Sequence, residues 1–330
     1  MRFRLICIFF LFNCVFYTCE LPDTEHPGNL VPPTAGEDSD LPQLKINVAG
    51  KERAVHLQTF GNPENPPLFV LPGGPGADFR LLLPLQIFSD RYFVVMWDSR
   101  GAGLSERVTK EELTIGSFPD EVEAIRSALA PGKKLTLCGH SFGAGVVAYY
   151  TSEYPENVEQ LILIEPGPLT NEGRKNYNGG EIGSFAVVED FFWQNEILTS
   201  KDHAAADYKA ITVLPEANRT FSCNGEIQED PFWRFGAFHH HVLTHTEQAP
   251  GKNFTWGIEE LTRFNSEILL VAGSCGAAGA GFQTNYNLPH LPGTRMEEID
   301  GAGHMSLFTD FSNELIEVIH NYLIEYQEEQ

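Results

Sequence analysis

The sequence predicts an α/β fold: a mostly parallel central sheet flanked by helices, with a mainly helical cap inserted into it. Three observations lead there. Eight short apolar runs are spaced between Leu44 and Ile299, several of them continuous rather than alternating, as in strands buried on both faces. Helix-like stretches lie between the runs, and strands interleaved with helices imply parallel βαβ units. A long aromatic-rich stretch then breaks the rhythm, and the strand-like runs that resume after it need a sheet to join.

In chain order, residues 1–19 place Arg2 and Arg4 ahead of an almost unbroken apolar run, the layout of a secretory signal. About 15 apolar residues is short for a membrane span of about 20, so export is expected. Cys19 closes the run and is a candidate for a lipid tether to a membrane, although Phe16-Tyr17-Thr18 lack the small residues such a site favours. Residues 20–42 carry Pro22, Pro27, Pro32, Pro33 and several acids without a hydrophobic period, and read as a flexible linker.

Leu44–Val48 and Ala54–Thr59 flank a turn at Ala49-Gly50 and read as an antiparallel hairpin at the sheet edge. Strands follow at Leu68–Leu71, Tyr92–Trp97, Leu135–Cys138 and Leu161–Ile164, with helices over Asp120–Leu129 and Phe142–Tyr154. The core is thus expected over residues 43–168 and 260–330, the second part holding Ile268–Val271, Arg295–Ile299 and a last helix, Ser312–Glu325. The cap is expected over residues 169–259, marked by Phe185, Phe191, Phe192, Trp193, Phe232, Trp233, Phe235 and Phe238.

The formal net charge of -23 opposes binding to a polyanion and argues against a nucleic-acid partner. Beyond the signal segment only Cys138, Cys223 and Cys275 remain. Cys138 lies in an apolar run and reads as a buried small hydrophobe. A Cys223–Cys275 bridge is permitted in an oxidising compartment, but its geometry is not fixed by sequence.

The chemistry concentrates where the strand Leu135–Cys138 runs into Gly139-His140-Ser141-Phe142-Gly143 and then a helix. Gly-x-Ser-x-Gly between strand and helix is the context of a nucleophile elbow. Glycines at 139 and 143 permit the close backbone approach that a tight turn needs. The helix N-terminus beneath Ser141 offers unpaired N–H groups, so Phe142 can donate its amide to a developing oxyanion. A serine hydroxyl attacks poorly until a base takes its proton, and histidine suits that task near neutral pH. His304 follows a strand-like run in the Gly-rich loop Asp300-Gly301-Ala302-Gly303 and precedes the last helix.

Together with Leu71-Pro72-Gly73-Gly74-Pro75-Gly76 and Trp97-Asp98-Ser99-Arg100-Gly101, this turn resembles the α/β-hydrolase superfamily, in the branch of the proline iminopeptidases. The resemblance spans about Leu44–Pro168 and Glu267–Glu325 and is weak across the cap. It implies an α/β-hydrolase fold, no cofactor and no metal. By that match Gly74 supplies the second oxyanion amide, and Pro72 stands in place of the family's histidine. His304 falls in the place of the family's base. Asp98-Ser99-Arg100-Gly101 resembles the family's Asp-Gln-Arg-Gly turn, read as scaffold more than as a substrate contact.

The acid departs from the pattern. Relatives commonly place an Asp after the strand matching Ile268–Val271, but residues 272–281 contain no carboxylate, and Gly276 stands where it is expected. Glu165 ends the strand Leu161–Ile164, and adjacent strands lie about 4.8 Å apart, so it is a candidate to orient His304. The Glu165-Pro166-Gly167 sequence also resembles a subset of relatives whose later loop lacks the Asp. Asp300 is a second candidate, and an incomplete triad is a third reading.

The expected function is hydrolysis through an acyl-enzyme on a small peptide or ester substrate. The resemblance implies release of an N-terminal residue; an esterase or lactonase, or a hydrolase-fold binding protein without activity, are the alternatives. Serine in the nucleophile's place disfavours haloalkane dehalogenase or epoxide hydrolase chemistry, which uses a carboxylate there. Glu181, Glu189 and Glu196 in the cap are candidates to hold a substrate ammonium. His239-His240-His241 with His245 reads as a polar cap helix rather than a metal site, and Asn218 and Asn253 begin glycosylation sequons.

Overall fold

The computed structural model describes residues 30–178, 203–225, 232–244 and 255–328. The signal segment with Cys19, the cap aromatics 185 and 191–193, Glu181, Glu189, Glu196, His245 and Asn253 lie outside the described residues.

Eight strands form one sheet: β1 Gln43–Val48, β2 Lys51–Phe60, β3 Pro67–Leu71, β4 Phe93–Trp97, β5 Leu135–His140, β6 Val158–Ile164, β7 Ile268–Gly273 and β8 Thr294–Ile299. Their order across the sheet is β1-β2-β4-β3-β5-β6-β7-β8. β2 pairs antiparallel with both β1 and β4, and the remaining pairs are parallel. The continuous apolar runs are explained by burial. β3, β4, β5 and β7 are buried at every position, because helices cover both faces.

The strand alternation splits the core into two layers. Phe69, Val95, Trp97, Leu137, Leu161 and Leu270 face one side, where helices α1 (Phe118–Leu129) and α2 (Phe142–Glu153) pack. Val70, Met96, Cys138, Ile162 and Leu269 face the other, against the turn-rich helix Phe79–Asp90 and the C-terminal helix Ser312–Glu328. Pro119 in the first turn of α1, with Asp120 and Glu121 beside it, suits a helix N-terminus whose dipole favours negative charge. Cys138 behaves as a small hydrophobe: it is buried and free, and burial pushes its thiol up to about 12.

The insertion enters after β6 and the chain returns to the sheet at β7. Its described parts include α3 (Asn171–Asn176), α4 (His203–Ala217) and α5 (Ala237–Val242). Ala206, Ala210 and Leu214 of α4 pack with Phe235 and Ala237 on Ala77 of the core. A buried ionic junction fastens this corner. Asp207 accepts from Arg107 at 2.7 and 3.2 Å, from Arg234 at 2.8 Å and from the Ala237 amide at 2.9 Å. Burial alone would raise this carboxyl, but Arg107 and Arg234 more than offset it and hold it below the ordinary range.

The stretch expected as a linker needs correction from Val31 onward. Val31 and Ala35 are buried, the Ala35 amide donates to the Leu104 carbonyl at 2.7 Å, and Arg234 donates to the Pro32 carbonyl at 2.7 Å and to Glu37 at 3.2 Å. Pro32 and Pro33 pre-set an extended backbone that can lie along a surface without any periodic pattern.

The histidine run of α5 docks the cap through carbonyls. His239 Nδ1 pairs with the Arg100 carbonyl and His240 Nδ1 with the Pro75 carbonyl, each at 2.9 Å. Among the described residues no group of three or more His, Cys, Asp or Glu side chains could hold a metal. Burial holds His239 far below its ordinary 6.5, at about 3, so the folded protein keeps it neutral where the unfolded chain takes a proton. Its contribution to stability is full above about pH 6.5 and is lost as pH falls toward 3. His239→Gln should therefore make the unfolding free energy fall less steeply than wild type below about pH 6.5, by about 1.4 kcal/mol per pH unit. Urea unfolding across that range checks this, and parallel curves would refute it.

Candidate active site

The site is built at the ends of β5, β6 and β7, and strand register sets its geometry. His140, the last residue of β5, pairs with Ile164, the last of β6, which pairs with Val271 of β7. The next residues along β5 and β6, Ser141 and Glu165, therefore emerge side by side. The Ser141 amide donates to the Ile164 carbonyl at 2.9 Å, and the Glu165 amide to the Val271 carbonyl at 2.8 Å.

Both residues adopt positive φ, 54° for Ser141 and 40° for Glu165. Non-glycine residues occupy that region at a cost and persist there only when their surroundings over-determine them. The Ser141 turn is tight because two glycines permit it. A Cβ on Gly139 would lie 2.5 Å from the Gly143 carbonyl oxygen, and one on Gly143 would strike the carbonyls of Leu71 and Pro72.

Phe142 begins α2, so its N–H is among the amides without an intrahelical partner. The Gly73-Gly74 loop lies directly against the turn: a Cβ on Gly73 would sit 2.8 Å from Ser141 Cβ and 3.1 Å from His140 Nδ1. Gly74, at φ 120°, leaves no room for a side chain beside the amides of Gly76 and Ala77.

Of the candidate acids, Glu165 is the one that the fold brings to His304. It is fully buried, its Oε1 accepts from the Gly273 amide at 2.7 Å, and its Oε2 lies 2.5 Å from His304 Nδ1. With a carboxylate as acceptor, Nδ1 carries the proton and Nε2 keeps its lone pair. Asp300 is exposed at the end of β8, and Gly276 is exposed in the loop after β7. The buried Gln283 and Asn287, one turn apart on the π-helical turn Gln283–Asn287, hold the acid's loop. Both donate to the Pro166 carbonyl, and Asn287 also donates to that of Gly167.

The buried His304 ring has two close ring neighbours: Phe221 stacks on it at 4.8 Å between centroids, and His140 lies at 4.3 Å, tilted by 39°. The Ser141 hydroxyl and the His304 ring are not hydrogen-bonded in this structure; catalytic contacts of this kind often tighten only with substrate in place. His140 lies well below the usual imidazole range, first because it is buried and then because His304 is beside it. It therefore offers His304 a neutral face. Its signal lay inside the Gly-x-Ser-x-Gly motif as the variable residue, whereas nothing in the sequence marked Phe221, Gln283 or Asn287.

Asp98-Ser99-Arg100-Gly101 is scaffold. Asp98 accepts from the amides of Phe79 and Leu104 at 2.9 and 2.8 Å and pairs with His56 Nδ1 at 2.9 Å. Arg100 donates to the buried Glu121 at 2.7 Å, and Glu121 also accepts from Trp97 at 3.1 Å.

A family model described as alpha/beta hydrolase fold matches residues 66–311. The chain belongs to that family, in its proline-iminopeptidase-like branch. Its relatives include a proline iminopeptidase of Thermoplasma volcanium, 27% identical over 49% of this chain and 62% of that one. Another is proline iminopeptidase PfmaB of Pestalotiopsis fici, 33% identical over 64% of this chain and 75% of that one. The chain spans less than two thirds of the length of several curated relatives it matches. Among solved structures, Mycobacterium smegmatis proline iminopeptidase superposes with a TM-score of 0.58 at 19% identity, covering 86% of this chain and 98% of that one. A Bacillus megaterium epoxide hydrolase gives 0.60 at 18% identity, covering 85% and 99%. At such identities these likenesses speak to the fold alone.

Replacing an orienting carboxylate by its amide costs about 10⁴ in turnover where it has been measured elsewhere. Glu165→Gln is expected to approach that loss, while Asp300→Asn should leave hydrolysis within about twofold, as for a surface change. Steady-state hydrolysis of an aryl ester by the two variants checks the assignment, and a reversed order would sink it.

Proposed function

We propose that this chain is a serine hydrolase that works through an acyl-enzyme and releases an N-terminal residue, proline in the first instance, from small peptides. The carrying observation is the Glu165–His304 pair at 2.5 Å beside the positive-φ turn of Ser141. Ser141 Oγ attacks the scissile carbonyl carbon as its proton passes to His304 Nε2. The imidazolium is stabilised by Glu165, and the oxyanion is held by the amides of Phe142 and Gly74. His304 then protonates the departing amine, the C–N bond breaks, and water activated by the same ring hydrolyses the ester.

The peptide assignment is supported by the proline iminopeptidase relatives, a family-level warrant. The binding-protein alternative arose from the missing loop acid, and the Glu165–His304 pair weighs against it. Export from the cytosol belongs to the same proposal. It is supported by the N-terminal apolar segment and by a Cys223–Cys275 disulfide, which persists in oxidising compartments. Cys19 is the proposed point of any lipid tether.

The test uses purified mature protein with a fluorophosphonate probe and a panel of aminoacyl-arylamides against short-chain aryl esters. The expected result is covalent capture of wild type but not of Ser141→Ala, with prolyl-arylamide giving the highest kcat/KM. Capture that is indifferent to Ser141 would overturn the mechanism. Ester turnover with no arylamide turnover would shift the substrate class to esters.

A further inference from the structure

We infer that Phe221, a cap residue, is a positioning residue for the His304 base, and that the Cys223–Cys275 bridge fastens it in place; this rests on the reading of His304 as the base. Phe221 meets the histidine in two ways. Its ring stacks on the imidazole at 4.8 Å with 27° between planes, and its carbonyl accepts from the His304 backbone amide at 2.9 Å.

The contact is built rather than incidental, because two loops of the core are shaped to receive this carbonyl. A Cβ on Gly276 would lie 2.7 Å from the Phe221 oxygen, and one on Gly303 would lie 2.6 Å from it. Gly276 also has φ 86°, so a side chain there is excluded on two grounds. The neighbouring Thr220 carbonyl accepts from the Ala277 amide at 3.0 Å. Two residues after Phe221, Cys223 is bonded to Cys275, the neighbour of Gly276, and the Cys275 amide donates to Ala302 in the histidine's own loop at 3.2 Å. The loop after β7, which lacks the acid, thus grips the helical turn Asn218–Phe221 that packs on the base.

The need for such a clamp follows from the ring's freedom. A hydrogen bond from Nδ1 to Glu165 fixes one edge of the imidazole but leaves the ring able to tilt about that bond. The Phe221 ring stacked on the imidazole, with the tilted His140 ring also against it, limits that tilt and keeps Nε2 placed for the Ser141 proton. Misplacement of a catalytic group by about 1 Å can cost about 10²-fold in rate. Tyr177 packs on Phe221, at 6.4 Å between centroids. Cys223 is exposed, so a dithiol can reach the bridge. It delivers two electrons and two protons, leaves two thiols, and becomes a cyclic disulfide itself.

The experiment measures the second-order rate of Ser141 capture by a fluorophosphonate, alongside kcat and KM on the best substrate. Phe221→Ala should slow capture and lower kcat by about 10–100-fold with KM within about twofold, and Phe221→Tyr, which keeps the flat face, should restore most of the rate. Reduction of wild type should slow capture several-fold, reversibly on reoxidation. The Cys223→Ser/Cys275→Ser double variant should show the same slow rate and no response to dithiol. If Phe221→Ala does not fold, the reduction and double-serine measurements decide. Wild-type capture rates in folded variants and in reduced protein would overturn the inference and leave the proposed function standing. No Ser141-dependent capture in wild type would bring down both.

Discussion

A carboxylate shut away from water must find a donor for each oxygen, and Glu165 is that constraint here. Its two donors come from different parts of the chain, the Gly273 amide at the end of β7 and His304 Nδ1 beyond β8. Neither would be in reach if the register of β6 against β5 and β7 slipped by one residue, since every side chain would then face the opposite way. The strand order, the positive φ of Glu165 and the Gln283–Asn287 grip on Pro166 and Gly167 together hold one desolvated side chain at one height on the sheet.

The sheet was legible because burial on both faces writes itself into sequence as continuous apolar runs. Leu68–Leu71 and Ile268–Val271 differ from the observed strands only at their ends. The nucleophile turn was legible because Gly139 and Gly143 are dictated by backbone contacts that no other residue tolerates. The acid was harder, since a carboxylate's partner is set by three-dimensional register: strand adjacency made Glu165 the first candidate, while Asp300, four residues before His304, stayed open as the second. Phe221 was not legible at all: 83 residues separate it from His304, and one aromatic in an aromatic-rich cap carries no mark of its contact. The packed stretch around Val31 and Ala35 was missed for the opposite reason, as its prolines and acids look like solvated chain.

Family membership and the site differ in what they determine. The candidate site residues sit at the sheet ends, inside the part of the chain that the family model matches, whereas the inserted segment between β6 and β7 is attached to them from outside the sheet. The described part of that segment is anchored by packing of Trp233 edge-on to Phe79 and His56 and by the backbone contacts of His239 and His240. These aromatics and imidazoles serve attachment. A polar residue rich in chemistry is thus spent on joining two layers.

Asp207 gathers the N-terminal stretch, a core loop and the inserted helices around one shared carboxylate, through Arg107 and Arg234. Removing this carboxylate would leave two buried guanidinium groups without their shared partner, and breaking a buried pair in this way costs about 3–5 kcal/mol. That corner acts as a rivet: three segments far apart in the chain meet at a single side chain, so a change at position 207 is felt in all of them at once.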